Sequence, residues 1–410
     1  MKRGACAIIG PFPLTPMKKI LVLYGFEHSG HHAAALALRD AFLDCDPALS
    51  VDLLNLFAYA SRIIEKIATG IFFRIVKSTP SVWDGIYTNP RSDPRFDRFR
   101  SVVRRLASRG VEDALREYQP DAVVCTQSFP CGMVHDFKER RNAAVPLYGV
   151  LTDFSVPPYW VYRRVNRYFV ASAEAKEALA RQGIDEDLIE AAGIPIHPRF
   201  ARPRDRLEAR AAFGLDASAP VVLVAGGWSG WGALERLAAE TARRGGGCRV
   251  VVVAGNNREL YGRLSGRGEL KRLGVTVLPH VERMDLLMAA ADLLVGKAGG
   301  MSASEALASG LPMVLVDSLP GQERHNARYL CRGGAAVEAR GVAEAAEAAA
   351  ALSRDATRLR LMGERARKMA RPDAARVVAR GVREGAARME ARPTGEARRA
   401  IARDPARAFA

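Results

Sequence analysis

The sequence predicts an α/β protein of two doubly wound, Rossmann-like domains facing each other across a cleft. Three observations predict it. Short apolar runs such as Ile20 to Tyr24 and Val221 to Ala225 each lead into a glycine-containing turn and then a run of helix formers. That order belongs to parallel strands joined by crossover helices. The alternation stops at Ile194 to Arg204, IPIHPRFARPR, and then begins again; its three prolines mark a linker. Finally, 410 residues with 49% hydrophobic content can bury two cores, at roughly 150 residues per domain. The expected divisions are an extension at 1–16, a first domain at 17–200, a second at 201–372, and a C-terminal helix and Arg/Ala-rich tail at 373–410.

In the first domain, Ile20 to Tyr24 reads as a buried strand, followed by the turn Gly25-Phe26-Glu27-His28-Ser29-Gly30-His31-His32 and the helix formers Ala33 to Phe42. A strand that delivers the chain through a turn into a helix is the usual place for a site in an open α/β sheet. Further strands are expected over Val51 to Leu56, Ala122 to Thr126, Leu147 to Leu151 and Tyr168 to Ala171, with helices over Asp97 to Tyr118 and Ala173 to Gln182. The segment Ser61 to Lys77 differs. Ile63, Ile64, Ile67, Ile71 and Ile75 recur at helical spacing, with Arg62, Lys66, Arg74 and Lys77 around them. Such a basic amphipathic helix suits a membrane interface or an ordinary core-facing position. Phe72 and Phe73 widen its apolar surface and tilt the reading to the membrane.

In the second domain, strands are expected over Val221 to Ala225, Val250 to Ala254, Val275 to Leu278, Leu293 to Val295 and Met313 to Val316. Helices are expected from the turn Gly226-Gly227-Trp228-Ser229-Gly230 to near Arg243, and over Met284 to Ala291, Ser302 to Ser309, Ala343 to Ser353 and Thr357 to Ala370. The stretch Val295 to Leu330 organises the rest. Its turn Gly296-Lys297-Ala298-Gly299-Gly300 opens a helix carrying Glu305, and a loop with Pro320, Gly321, Gln322, Glu323 and Asn326 follows the next strand. Glycines at a helix start let phosphates approach the N–H groups at the positive end of the helix dipole. The spacing is neither GxGxxG nor GxxxxGK[ST], so these residues alone leave open an anion site or a plain turn.

A formal net charge of +16 points to anionic partners or to an Arg/Ala-rich composition, visible at Ala343 to Ala351. Nucleic acid is the least supported partner, because the charge is dispersed and lacks interleaved aromatics. Six cysteines, Cys6, Cys45, Cys125, Cys131, Cys248 and Cys331, are scattered without metal-ligand spacing and read as reduced thiols of a cytosolic protein. Pro11 and Pro13 interrupt the N-terminal apolar run, which makes a poor signal peptide, and Met17 reads as an alternative start. No window approaches ~18 uninterrupted apolar residues, so no spanning helix is expected.

Four pieces in order carry a resemblance: Ser29-Gly30-His31-His32-Ala33-Ala34; Leu151-Thr152-Asp153-Phe154 with Trp160; Gly193-Ile194-Pro195-Ile196 with Phe200; and Gly299-Gly300 through Glu305 to Pro320-Gly321-Gln322-Glu323 with Asn326. The set, above all GxPxxL at Gly310 to Leu315 followed by PGQExxN at Pro320 to Asn326, resembles the monogalactosyldiacylglycerol synthase and processive diacylglycerol glycosyltransferase family. That family is itself similar to the peptidoglycan lipid-intermediate N-acetylglucosaminyltransferase. The resemblance spans Lys18 to Ala370. It implies the GT-B glycosyltransferase fold, with the acceptor and membrane in the first domain and the nucleotide sugar in the second. The implied activity is inverting transfer of a hexose from a UDP-sugar to the hydroxyl of diacylglycerol. The implied setting is peripheral, on the cytoplasmic face of an anionic membrane, with no metal or other cofactor.

Under that resemblance His31 is the base or a diphosphate contact, although a histidine there also caps a helix. Asp153 binds the acceptor, supports His31 or is itself the base, unless it merely caps a turn. Gly226, Gly227, Gly299, Gly300 and Lys297 fall on the diphosphate side, and His280 and Val281 at the uracil. Glu305 is expected on the ribose, since a carboxylate can accept two hydrogen bonds from a diol. Gln322, Glu323 and Asn326 are expected on the donor sugar. Ile64, Ile67, Ile71, Phe72, Arg74 and Trp160 are the expected membrane and acceptor surface. Relatives often carry a histidine three residues before the tryptophan, where this chain has Pro157. Asp44-Cys45-Asp46 mimics a metal-binding DxD but reads as a terminating turn. Two other functions stay open: a UDP-sugar epimerase, which needs no acceptor, and a non-catalytic lipid- or nucleotide-binding relative, which Pro157 suggests.

Overall fold

The computed structural model describes residues 17–60, 104, 108–230, 232–245, 247–316, 318–319 and 321–390. The amphipathic segment with Ile64, Ile67, Ile71, Phe72 and Arg74 lies outside the described residues. Each domain is built on a six-stranded parallel sheet. The first contains β1 (Lys19–Tyr24), β2 (Ser50–Asn55), β3 (Ala122–Cys125), β4 (Leu147–Val150), β5 (Arg167–Phe169) and β6 (Ile189–Glu190), in the order β2-β1-β3-β4-β5-β6. The second contains β7 (Val221–Ala225), β8 (Arg249–Val253), β9 (Thr276–Leu278), β10 (Leu293–Gly296), β11 (Met313–Leu315) and β12 (Ala336–Glu338), in the order β12-β11-β10-β7-β8-β9. Central strands such as β3, β4 and β10 are buried throughout, because helices cover both faces of a parallel sheet. The helix Gly30–Cys45 covers β1 with Ala34, Leu38, Ala41 and Phe42, one apolar stripe at helical spacing.

The expected linker is not a free tether. Ile194, Ile196 and Phe200 are buried in the core of the second domain. The chain returns through the helix Ala374–Glu390, whose Val378, Ala379 and Val382 share a core with Ile20, Leu38 and Phe42 of the first domain. Glycines permit that contact, since a Cβ at Gly381 would come within 2.8 Å of the Phe169 ring. Asp44 and Asp46 of the DxD triplet meet Arg376 and Arg383 of this helix at 3.5 and 3.3 Å. The triplet therefore ends one helix and pairs with the last one.

Four elements differ from expectation in ways the sequence explains. Gln322–Arg332 is a helix, not a loop; its polar first turn, Gln-Glu-Arg-His-Asn, lacks an apolar period. Strands β6 and β12 are too short to make an apolar run. The helix Ser128–Arg141 contains Pro130 and Gly132 and buries several sides of its first two turns, so no amphipathic stripe announces it.

Asn326, fully buried, joins the domains. Its Oδ1 accepts from Phe154 N at 2.8 Å, and its Nδ2 donates to Asp153 Oδ1 and to Ala298 O, both at 3.0 Å. Asn326→Ala leaves the Phe154 N–H and the Ala298 carbonyl without these partners. The expected cost is about 2–4 kcal/mol, read as a lower urea midpoint.

Candidate active site

In an open α/β sheet, ligands bind beyond the strand C-termini where the strand order reverses. The first sheet reverses between β1 and β3, and the second between β7 and β10. His31 lies after β1 and reaches the turn after β3, with Nδ1 2.9 Å from Thr126 O and 2.9 Å from Thr152 Oγ1. In return, Thr126 Oγ1 donates to His31 O at 2.9 Å. A carbonyl only accepts, so the neutral imidazole carries its proton on Nδ1 and presents the Nε2 lone pair. Burial lowers the His31 pKa to about 4, against a smaller raising effect of the Thr126 hydrogen bond. The ring is therefore uncharged at neutral pH. Asp153, one residue beyond Thr152, is pushed up to about 6 by burial, and the hydrogen bond from Asn326 only partly offsets this.

The second switch point brings Gly227 toward Lys297. Gly227 has φ of 74°, and a Cβ there would lie 3.8 Å from Lys297 Cε and 4.0 Å from Ser302 Oγ. The helix Gly300–Ala308 starts beside them with Gly299 at its N-cap and no side-chain cap. Open space lies where a Gly299 Cβ would stand, so backbone N–H groups remain for an anion. Glu305, two turns of chain from Gly299, is raised to about 7 by burial, with Arg199 pulling the other way. Its carboxylate has no hydrogen-bond partner among the described residues. Val281 is half-buried and His280 exposed beyond β9, and Arg199 Nη1 donates to the adjacent Glu282 O at 2.8 Å.

Several expected roles do not match the geometry. A Cβ at Gly300 would come within 2.0 Å of Thr152 O, so the missing side chain of this glycine serves domain contact. Asn326 spends its amide on the interdomain bonds, which leaves little of it for a sugar. Glu323 is buried, pairing with Lys297 Nζ at 2.7 Å and accepting from Leu319 N at 2.9 Å. Lys297 thus already has a partner, and of the expected sugar contacts only Gln322 keeps partial exposure. Trp160 is a core residue rather than an acceptor surface. It is 5% exposed, seated by the short 3-10 turn Pro158–Trp160 with Pro157 at its N-cap. Thr126, Thr152, Arg199 and Trp228 join the site unexpectedly, and His28, a weaker candidate than His31 in the Gly/His turn, joins it too. The only signals for them in the sequence were their places in or beside the Gly/His turn, the LTD motif, the proline-broken linker and the Gly-Gly turn. Among the described residues no group of three His, Cys, Asp or Glu side chains is placed to hold a metal.

Beside the Asp153–Asn326 contact a cavity of about 870 Å³ opens between the domains. Phe154 and Tyr329, stacked at 4.6 Å, line it together with Val156, Pro158, His325 and Arg328.

Two parallel sheets facing a shared cleft, each with a site at its switch point, make the GT-B glycosyltransferase fold. Residues 31–196 match the family described as monogalactosyldiacylglycerol (MGDG) synthase, and residues 221–383 match the glycosyltransferase family 28 C-terminal domain. One match falls on each domain, and over most of its length the chain is similar to processive diacylglycerol glycosyltransferases. The processive diacylglycerol beta-glucosyltransferase of Bacillus cereus (strain AH187) is 29% identical over 87% of this chain and 91% of its own length. That of Bacillus pumilus is 26% identical over 78% and 82%. The fold is shared with Acinetobacter baumannii MurG, at TM-score 0.58 and 15% identity over 90% of this chain and 99% of that one. It is also shared with Phytolacca americana UGT2, at TM-score 0.59 and 15% identity over 92% and 100%.

The His31 environment makes a prediction with a definite sign. Its folded pKa, about 4, lies below its ordinary 6.5, so its contribution to stability is complete above pH 6.5 and is lost as pH falls through about 4. Histidine NMR titration should place its midpoint near 4, and His31→Gln should flatten the acid side of the stability profile.

Proposed function

We propose that this chain transfers a hexosyl group from a UDP-sugar to the hydroxyl of diacylglycerol, with inversion at the anomeric carbon. The observation that carries the reading is a neutral His31, its Nε2 lone pair available, at a switch point drawn against the uncapped helix that opens the second. The acceptor enters through the cavity beside Phe154 and Tyr329. His31 Nε2 removes the hydroxyl proton as the oxygen attacks the anomeric carbon from the face opposite UDP. The bond from that carbon to the diphosphate breaks, and UDP leaves with the electron pair. The uncapped N–H groups in the first turn of the Gly300–Ala308 helix and the Lys297–Glu323 pair meet the charge developing on the diphosphate. Asp153, held through Oδ1 by Asn326, orients the acceptor or the imidazole. Glu305 receives the ribose diol beside Val281.

We further infer that the protein works at the cytoplasmic face of an anionic membrane. The support is the basic amphipathic segment Ser61 to Lys77 and the charge of +16. Among the described residues no helix is long and apolar enough to cross a bilayer.

The relatives' name makes UDP-glucose the first donor to test. Vesicles containing diacylglycerol should trigger UDP release, and vesicles without it should not. Equal turnover without lipid, or none with any UDP-hexose, would count decisively against the reading. His31→Ala should lower kcat by about 10²–10⁴-fold with an unchanged circular dichroism spectrum.

Glu305 adds a pH dependence. Its raised pKa, about 7, means that the carboxylate form grows as pH rises through 7, at some expense to the stability of the empty protein. Uridine does not ionise there, so its affinity should rise across that interval. In Glu305→Gln the slope should vanish.

A further inference from the structure

The turn after β7 carries a side chain whose surroundings point to a ligand. Trp228, next to Gly227, lies between the domains. The His28 ring stacks on its indole at 5.8 Å and 18°, with His32 at 6.2 Å and His280 at 5.1 Å. Its Nε1–H is buried and has no acceptor among the described residues. A shielded donor left unpaired is destabilising, and folded proteins retain few of them. Across the cleft, His28 has φ of 57°, a left-handed conformation uncommon outside glycine. That strained turn seats its ring on the indole, and strain of this kind gathers at ligand sites. An unsatisfied donor and a strained backbone therefore meet where the two switch points face each other.

Resting on the second domain as the UDP-sugar site, we propose that Trp228 is a donor-binding residue whose Nε1–H donates to an oxygen of the diphosphate. His28, reaching over from the acceptor domain, fixes the indole plane and shields the N–H until that oxygen arrives. An indole N–H only donates, so its ligand atom is an acceptor. The neighbouring groups, Lys297 and the Gly227 turn, suit an anionic one. A hydrogen bond to a phosphate oxygen is charge-assisted, and it strengthens as the sugar–oxygen bond breaks and charge collects on the leaving diphosphate. The reach of the acceptor domain onto the donor turn would then sense whether a diphosphate is present.

Trp228→Phe keeps an aromatic ring against His28 and removes the N–H together with part of the indole surface. UDP affinity should fall by about tenfold, the value of one charge-assisted hydrogen bond. Uridine affinity and the urea midpoint should not fall. Unchanged UDP affinity overturns the proposal, whether or not the midpoint drops. So does an equal weakening of UDP and uridine, which would put the indole on the base. A wild-type protein that binds neither compound overturns the donor reading itself. The wild type also gives a second reading. The Trp228 indole N–H resonance, assigned by triple-resonance spectroscopy, should move downfield with UDP and stay in place with uridine; no movement with UDP overturns the proposal.

Discussion

The site depends on how closely the loop after β4 approaches the loop after β10. Two features set that distance. Gly300 has no side chain, so the Thr152 carbonyl can rest where a Cβ would stand, at 2.0 Å. Asn326 then ties Asp153 and Phe154 to Ala298 with hydrogen bonds of 2.8 to 3.0 Å. Each sheet alone would present an ordinary switch-point crevice. Held together, they make one cleft in which His31 of one domain and the Gly300–Ala308 helix of the other can act on the same molecule.

Burial in that cleft sorts the ionisable groups. It lowers His31 to about 4 and raises Asp153 to about 6 and Glu305 to about 7. All three shifts favour the uncharged form, as desolvation requires, and all three are set in the empty protein. A nucleotide would bring its own charge and hydrogen-bonding groups, so the groups that meet it are held in a state that its arrival can alter. Lys297 differs, because its charge is already matched by Glu323 at 2.7 Å. Engagement of a diphosphate by Lys297 means sharing or exchanging that partner.

Much of the positive charge does structural work. Arg210, only 2% exposed, pairs with Asp292 at 2.7 Å and donates to Ala290 O at 3.1 Å. Arg383 and Arg376 pin the last helix to Asp46 and Asp44. Net charge therefore describes the surface field poorly, and the basic segment Ser61 to Lys77 carries the membrane reading better than the total does.

The sequence by itself determined the architecture. Strands buried on both faces must be continuous apolar runs, so β1, β3, β4, β7, β8 and β10 were legible, as were the Gly/His and Gly-Gly turns at the two switch points. It also singled out His31 and Glu305 as candidates, because each follows a strand and a glycine turn. Only the tertiary structure decided which polar residues face the cleft. Asn326 and Glu323 look like ligand contacts in one dimension, yet packing buries them in interdomain and intradomain bonds. Trp160 looks like an exposed aromatic, yet Pro157 begins the turn that seats it in the core. Trp228 and His28 sit two hundred positions apart, and no local pattern announces their contact. The physical reason is that burial and partnership are properties of two surfaces meeting, whereas periodicity reports on one element at a time.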